Sequence, residues 1–255
     1  MEVLEKSEVF TDDEDDEPVF SHSIVVYRDS GVLNIGALKS RVFTSGPIDF
    51  SSIQSPRIPV NEIHPPYTEG FTKCTGRGKG EVFIKRPSLL DYTTGTADYF
   101  RDILLHEAEI GGVLRKSPHP HIASYLGCAV DDGKIVGLCW QNYRLSLKEK
   151  MGQLSSVSEV KLLVNSIVQG INHIHSLGYC HNDINQSNIR FADDGKPVII
   201  DFDPCELTGK PLHFKAGTMG WCNEETSLSV PENDFYGIRA VERFLLAHVG
   251  QNCQS

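Results

Sequence analysis

His181-Asn182-Asp183-Ile184-Asn185-Gln186-Ser187-Asn188, followed further on by Asp201-Phe202-Asp203, is the stretch that decides the fold. The helix before it is the clearest in the chain. Ser156 with Glu159 three residues on makes a capping box, hydroxyl and carboxylate each taking an otherwise orphaned amide. Val160, Leu163, Val164, Ile167, Ile171 and Ile174 form one apolar stripe. Gly178 ends the helix at the position where a left-handed residue is wanted. A tight turn then delivers Asp183. Next come Asn188-Ile189-Arg190-Phe191, the turn Ala192-Asp193-Asp194-Gly195 and the apolar run Val198-Ile199-Ile200, which predict a small hairpin. Its pairing brings Asn188 beside Asp201, with Asp183 on the adjoining loop. Oxygen donors of this kind suit a hard cation such as Mg²⁺, which keeps waters and is shared with phosphates. A carboxylate next to such a site can accept or orient a hydroxyl proton.

The upstream half reads as strands around one helix. Ser23 to Tyr27 is a β-rich run ending at the turn Asp29-Ser30-Gly31. Residues 45–80 are rich in Gly, Pro, Ser and Thr, and apart from a weak strand signal at Arg57-Ile58-Pro59-Val60 they suggest no element. Glu81 to Lys85 is a better strand, entered through Gly76-Arg77-Gly78-Lys79-Gly80 and stopped by Pro87. Phe100, Leu104, Leu105, Ile110 and Leu114 sit at helical spacing and predict a helix from Thr96 to Lys116. The strands Ile122–Val130 and Lys134–Trp140 follow, joined by the hairpin signal Asp131-Asp132-Gly133. Strands with one helix, then mostly helix with a hairpin, point to an α+β protein of two unequal lobes.

The bulk properties set limits. With 255 residues, 40% hydrophobic and 23% charged, the chain can bury a substantial core. Its net charge of -10 argues against a nucleic-acid surface or a polybasic membrane contact. Part of that charge is the run Thr11 to Glu17, which reads residues 1–20 as a solvated, disordered tail. Seven scattered cysteines without a C-x-x-C pair suggest reduced thiols in a cytoplasmic or nuclear protein. The N-terminus lacks a signal-peptide pattern, and no stretch approaches the length of an apolar membrane span.

The motifs together resemble the protein-kinase family, and a divergent branch of it common in filamentous fungi. Residues 181–188 resemble the catalytic loop H-R-D-x-x-x-x-N, and Asp201-Phe202-Asp203 resembles D-F-G. Val82-Phe83-Ile84-Lys85 resembles V-A-I-K, and His119-Pro120-His121-Ile122 the opening of the fourth strand in that fold. Gly217-Thr218-Met219-Gly220-Trp221 with Glu224-Glu225 resembles the end of an activation segment, and Asn233 to Gly237 the start of a buried helix. The likeness covers about residues 70 to 245. It implies a kinase-like fold with a β-rich lobe at 21–142 and a shortened helical lobe at 143–255. It implies ATP and Mg²⁺ as cofactors and a protein as substrate, phosphorylated on Ser or Thr. By the same resemblance Asp183 is the catalytic base, Asn188 and Asp201 are magnesium ligands, and Lys85 is the phosphate clamp. Glu107 is favoured over Glu109 as its helix partner, and Trp140, Gln141 and Asn142 fall at the adenine-facing hinge.

Five departures qualify that reading. No G-x-G-x-x-G stands at a suitable distance before Lys85. Asn185 replaces a lysine that many Ser/Thr kinases carry, removing charge near the transferred phosphoryl. Asn182 replaces the arginine of H-R-D, so no dependence on activation-loop phosphorylation is expected. Asp203 replaces the glycine of D-F-G, and the chain stops at Ser255, before the late helices of that lobe. Two other functions stay open: a binding scaffold without catalysis, and a small-molecule kinase, whose loops read H-[NG]-D and D-[FW]-[ED]. His173, His175 and His181 read as packing residues, and Thr218 as a structural hydroxyl.

Overall fold

The computed structural model describes the chain except residues 14, 15, 45, 52, 54, 55, 77–80, 213–216, 224 and 253–255. Two three-stranded sheets precede the helical half. The first joins β1 (Glu2–Asp12), β2 (Pro18–Asp29) and β3 (Val32–Leu38) as an antiparallel meander. Its second turn is the expected one, with Ser30 and Gly31 both at positive φ (48° and 83°), as a two-residue hairpin with right-handed twist demands. The second sheet has the order β4-β6-β5, from β4 (Val82–Lys85), β5 (Tyr125–Asp131) and β6 (Lys134–Gln141). Asp132 and Gly133 make its hairpin turn, again at positive φ.

The expectation of a disordered tail over residues 1–20 is corrected by this arrangement. β1 pairs with β2 along most of its length, from Glu2 opposite Arg28 to Asp12 opposite Pro18. Two acidic side chains of β1 have partners. Glu8 accepts from the amides of Val42 and Phe43 at 3.0 and 3.1 Å, and Glu5 accepts from the Ser88 hydroxyl at 2.6 Å and the Leu89 amide. A strand whose side chains are mostly exposed gains its stability from the ladder and from such bonds, which charge composition does not report.

Among the described residues of the 45–80 region, Arg57 makes an isolated antiparallel bridge to Asn34 where a weak strand signal stood, and the short helix α1 (Val60–Ile63) follows. Residues 77–80 of the glycine-rich turn lie outside the described residues. Ile58, Ile63, Val26, Leu33 and Ile35 join Tyr92, Ala97 and Phe100 in a satellite core. That core seats the first sheet on the start of α2 (Ala97–Lys116), the helix expected at 96–116.

The helical half begins with β7 (Leu145–Ser146) and α3 (Leu147–Met151), then α4 (Val157–Ser176), whose Ser156–Glu159 capping box is present as expected. β8 (Tyr179–Cys180), a 3-10 turn at Gln186–Asn188, β9 (Ile189–Phe191), β10 (Pro197–Ile199) and β11 (Glu206–Leu207) follow, and α5 (Pro231–Asn252) comes last. The main core is continuous across both halves. It runs from Leu104, Leu138 and Trp140 through Phe202 to Ile167, Ile171 and Val241. Phe202, fully buried, stacks on Trp140 with ring centroids 5.2 Å apart and meets the His181 ring at 5.3 Å.

α5 approaches the catalytic-loop segment so closely that only glycine fits at the contact. A Cβ on Gly237 would strike the Ile184 carbonyl oxygen and lie 2.9 Å from its Cβ. Gly237→Ala is therefore expected to lower stability by about 1–3 kcal/mol through overpacking, despite its better helix propensity. Urea denaturation measures this, and an unshifted midpoint would show that the loop yields without cost.

Candidate active site

The end of α4 and the strand after it present residues 181–188 on top of the helical half. Asn182 has φ 65° and Asp201 φ 70°, conformations that Asn and Asp tolerate better than most residues. Asp234, fully buried on α5, fixes the loop. Its carboxylate accepts from the amides of His181 (2.9 Å) and Asn182 (2.7 Å) and from His175 Nε2 (2.8 Å). Ligand atoms of His175, Cys180 and Asp234 gather within 4.8 Å. Both Asp234 oxygens are engaged in these bonds, so the cluster is a hydrogen-bonded hub that holds the loop.

The hub titrates. Burial alone would push His175 down, but its bond to Asp234 and that carboxylate's charge outweigh it and raise His175 to about 9. The folded value lies above the ordinary 6.5, so this stabilisation is complete below pH 6.5 and is lost as pH rises through about 9. His175→Gln keeps a donor but cannot titrate. Its unfolding free energy is expected to fall less than wild type between pH 6 and pH 9.5, and identical slopes would count against the assignment.

Asn182 is bound into this scaffold. Its Nδ2 donates to the carbonyls of Cys180 and Pro204 and to the Ser229 hydroxyl, and its Oδ1 accepts from Asn233 Nδ2. Its amide thus stitches three segments together within the fold.

Asp183 is buried and held from several sides. Oδ1 accepts from Asn185 Nδ2 (3.0 Å), the Thr218 amide (2.8 Å) and the Thr218 hydroxyl (2.8 Å). Oδ2 accepts from Asn188 Nδ2 at 3.1 Å. Gly217, at φ 87°, makes the turn that lays Thr218 there, and a side chain in its place would meet the Asn182 carbonyl at 3.0 Å. The contact of Thr218 with Asp183 was not foreseen. The G-T pair of the segment was its signal, but a hydroxyl's partner across a loop is set by the fold.

On the opposite wall, Lys85 Nζ lies 2.8 Å from Glu107 Oε1, contacts Asp201 Oδ1, and stands 3.7 Å from Asp203 Oδ1. Of the two glutamates weighed above, Glu107 is the one in contact. It is also buried, and its Oε1 takes the Phe202 amide at 3.4 Å. Burial would push the Lys85 ammonium down, but Glu107, Asp201 and Asp203 outweigh it and hold it charged. Burial pushes Glu107 up to about 7 against the pull of Lys85.

These groups share one cleft. A cavity of about 350 Å³ is lined by Lys85, Glu107, Trp140, Gln141, Asn142, Asn188 and Asp201, with Phe83, Arg144 and Arg190 among the others. Asp183 sits just below, one hydrogen bond from Asn188. With its nitrogen committed to Asp183, Asn188 leaves its amide oxygen for a ligand, beside the Asp201 carboxylate. Two hard oxygen donors beside a charged lysine fit a magnesium–phosphate unit.

Two lobes joined by one core, a lysine–glutamate pair in the cleft and an aspartate anchored beneath it define a kinase-fold protein. Residues 92–232 match the protein kinase domain family, more than half of the sequence, and the chain belongs to that family. Among similar curated proteins is the serine/threonine-protein kinase Tao of Drosophila melanogaster, 25% identical over 134 residues, covering 49% of this chain and 12% of that one. Mitogen-activated protein kinase kinase kinase 1 of Arabidopsis thaliana is 27% identical over 165 residues, covering 63% and 26%. The chain thus spans about a quarter or less of the length of these relatives. Among solved structures, the Cydia pomonella granulovirus kinase PK-1 superposes with a TM-score of 0.48 at 16% identity, covering 66% of this chain and 61% of that one. Among the described residues no helix is long and apolar enough to cross a membrane.

Proposed function

We propose that the chain binds ATP with Mg²⁺ and transfers the γ-phosphoryl group to a Ser or Thr hydroxyl of a protein in the cytoplasm or nucleus. The observation that carries this reading is Lys85, kept charged in the cleft by Glu107 and Asp201 while Asp183 is fixed below. In this reading Lys85 holds the α- and β-phosphates and Glu107 keeps it aimed. Asn188 and Asp201 hold the cation, which would screen charge on the phosphate oxygens. Asp183 accepts the proton of the attacking hydroxyl. Trp140, Gln141 and Asn142 border the base.

A thermal-shift titration with Mg-ATP tests binding, since a ligand selective for the folded state stabilises it by mass action. Wild type is expected to gain several degrees and Asp201→Ala almost none. Labelled-phosphate transfer to Ser/Thr peptides then tests catalysis. A binding scaffold is the second reading, favoured by the neutral amide of Asn185 against Asp183 and by an Asp183 carboxylate that already accepts four hydrogen bonds. Binding without transfer to any peptide would select it.

A further inference from the structure

The sheet β1-β2-β3 lies outside residues 92–232, which match the kinase family, and its two edges differ. The chain itself covers the β3 edge. Ile35 donates its amide to the Pro56 carbonyl at 3.3 Å, Ile58 donates to the Leu33 carbonyl at 2.8 Å, and Asn34 bridges to Arg57. The β1 edge has no such cover. Among the described residues β1 pairs only with β2, and no other backbone segment bonds to its outer amides and carbonyls. The bonds of Lys6 and Glu8 to residues 42 and 43, and of Glu5 to Ser88, run from side chains, which point to the faces of a strand and leave its edge open. Register shifts between Val3 and Glu5 and between Val9 and Phe10 leave residues 5–9 as the regular run of that edge. Exposed apolar side chains stand at both ends of the run, Val3 and Leu4 at one and Phe10 at the other. The Phe10 ring meets Phe20 edge-on at 6.1 Å and lies under the Arg41 guanidinium, which fixes it at the surface.

We propose that the β1 edge is a docking site for an extended, cationic segment of a partner protein, which joins the sheet as a fourth strand beside residues 5–9. The open amides and carbonyls supply the main-chain hydrogen bonds that strand addition uses. The apolar side chains at the ends of the run give every second side chain of the incoming strand a surface to cover. Charge decides the occupant. Residues 1–20 carry nine acidic side chains and one lysine, so this short segment holds -8 of the chain's net charge of -10. Asp12, Asp13, Asp16 and Glu17, at the end where Asp12 meets Pro18, are all exposed. A second copy of the chain would bring two segments of the same strong charge together, and they repel. A strand bearing Lys or Arg is attracted by the same field, which also steers its approach. The proposal is independent of the nucleotide reading, since no residue of β1 lines the cleft.

A fluorescent peptide of alternating lysine and valine, titrated into the full chain, tests this. Two control peptides accompany it. One carries glutamate for lysine, and the other is N-methylated at every backbone amide, which keeps the charge and loses the donors. The lysine peptide is expected to bind about tenfold more tightly than either control. Hydrogen exchange read by mass spectrometry should then slow within Glu2–Asp12 and stay unchanged in the covered edge strand Val32–Leu38. Asp12→Asn combined with Asp16→Asn should weaken the lysine peptide about fivefold. Both side chains are exposed, and the comparison of peptides on wild type stands whatever the variant does. Equal binding by the N-methylated peptide overturns the proposal, because charge alone would then hold the ligand. So does protection outside β1, absence of binding by the lysine peptide, or tighter binding by the glutamate peptide. Unchanged affinity in the folded variant overturns the charge-selected occupant. Sedimentation of the free chain as a dimer with β1 protected overturns it too, since the edge would then belong to a second copy.

Discussion

Asp183→Asn is expected to reduce phosphoryl transfer by about 10²–10⁴-fold, the usual worth of a positioned general base. Nucleotide binding should change little, because Lys85, Asn188 and Asp201 are untouched. The substitution is nearly isosteric. One amide oxygen can still take the three donors now on Oδ1, while the new NH₂ faces the Nδ2 of Asn188, donor against donor. That mismatch predicts a loss of about 1 kcal/mol in stability, separate from the catalytic effect. Single-turnover transfer with saturating ATP isolates the chemical step. A variant that transfers at the wild-type rate would remove Asp183 from the mechanism.

Lys85→Met has the second large effect, and it falls on binding and stability together. The ammonium pairs with Glu107, and it also meets Asp201 and Asp203. Removing it leaves buried Glu107 without its counter-charge, a kind of loss that costs about 3–5 kcal/mol when the remaining group stays ionised. Glu107 has an alternative, since burial already holds it near 7. Without Lys85 its pKa rises further and the carboxyl binds a proton, so this group's contribution to stability falls as pH rises from its ordinary 4.5 through the raised value. The double variant Lys85→Met with Glu107→Gln should recover much of the stability and none of the nucleotide affinity. Chemical denaturation and calorimetric titration with Mg-ATP separate the two, and retained affinity in Lys85→Met would contradict its place on the phosphates.

What the sequence made legible was local chemistry with a strong pattern. The Ser156–Glu159 box, the Asp132-Gly133 turn and the Gly178 stop each depend on residues a few positions apart, and each is where it was expected. The catalytic-loop and D-F-D segments could be placed because a hairpin of known register joins them, with Ile199 opposite Ile189. The contact of Lys85 with Glu107 instead of Glu109 was a matter of which face α2 turns to β4, and the buried side of that helix carries Glu107.

The rest depended on partners far away in the chain. β1 was missed because its stability comes from the ladder with β2 and from amides of residues 42, 43 and 89 bonded to its glutamates. The same holds for Arg190, which sits between two buried neighbours in a three-residue strand too short to show alternation against the noise of composition. Asn182 departed from the family pattern, and only the fold reveals its use as a staple between Cys180, Pro204 and Ser229.

The central claim is most directly tested by a crystal structure grown with a non-hydrolysable ATP analogue and Mn²⁺, using the anomalous signal of manganese to locate the cation. The account predicts a manganese peak between the Asn188 amide oxygen and the Asp201 carboxylate, with Lys85 Nζ on the phosphates and still paired to Glu107. Manganese and nucleotide bound away from residues 85, 188 and 201, or a cleft that stays empty at saturating ligand, would contradict it.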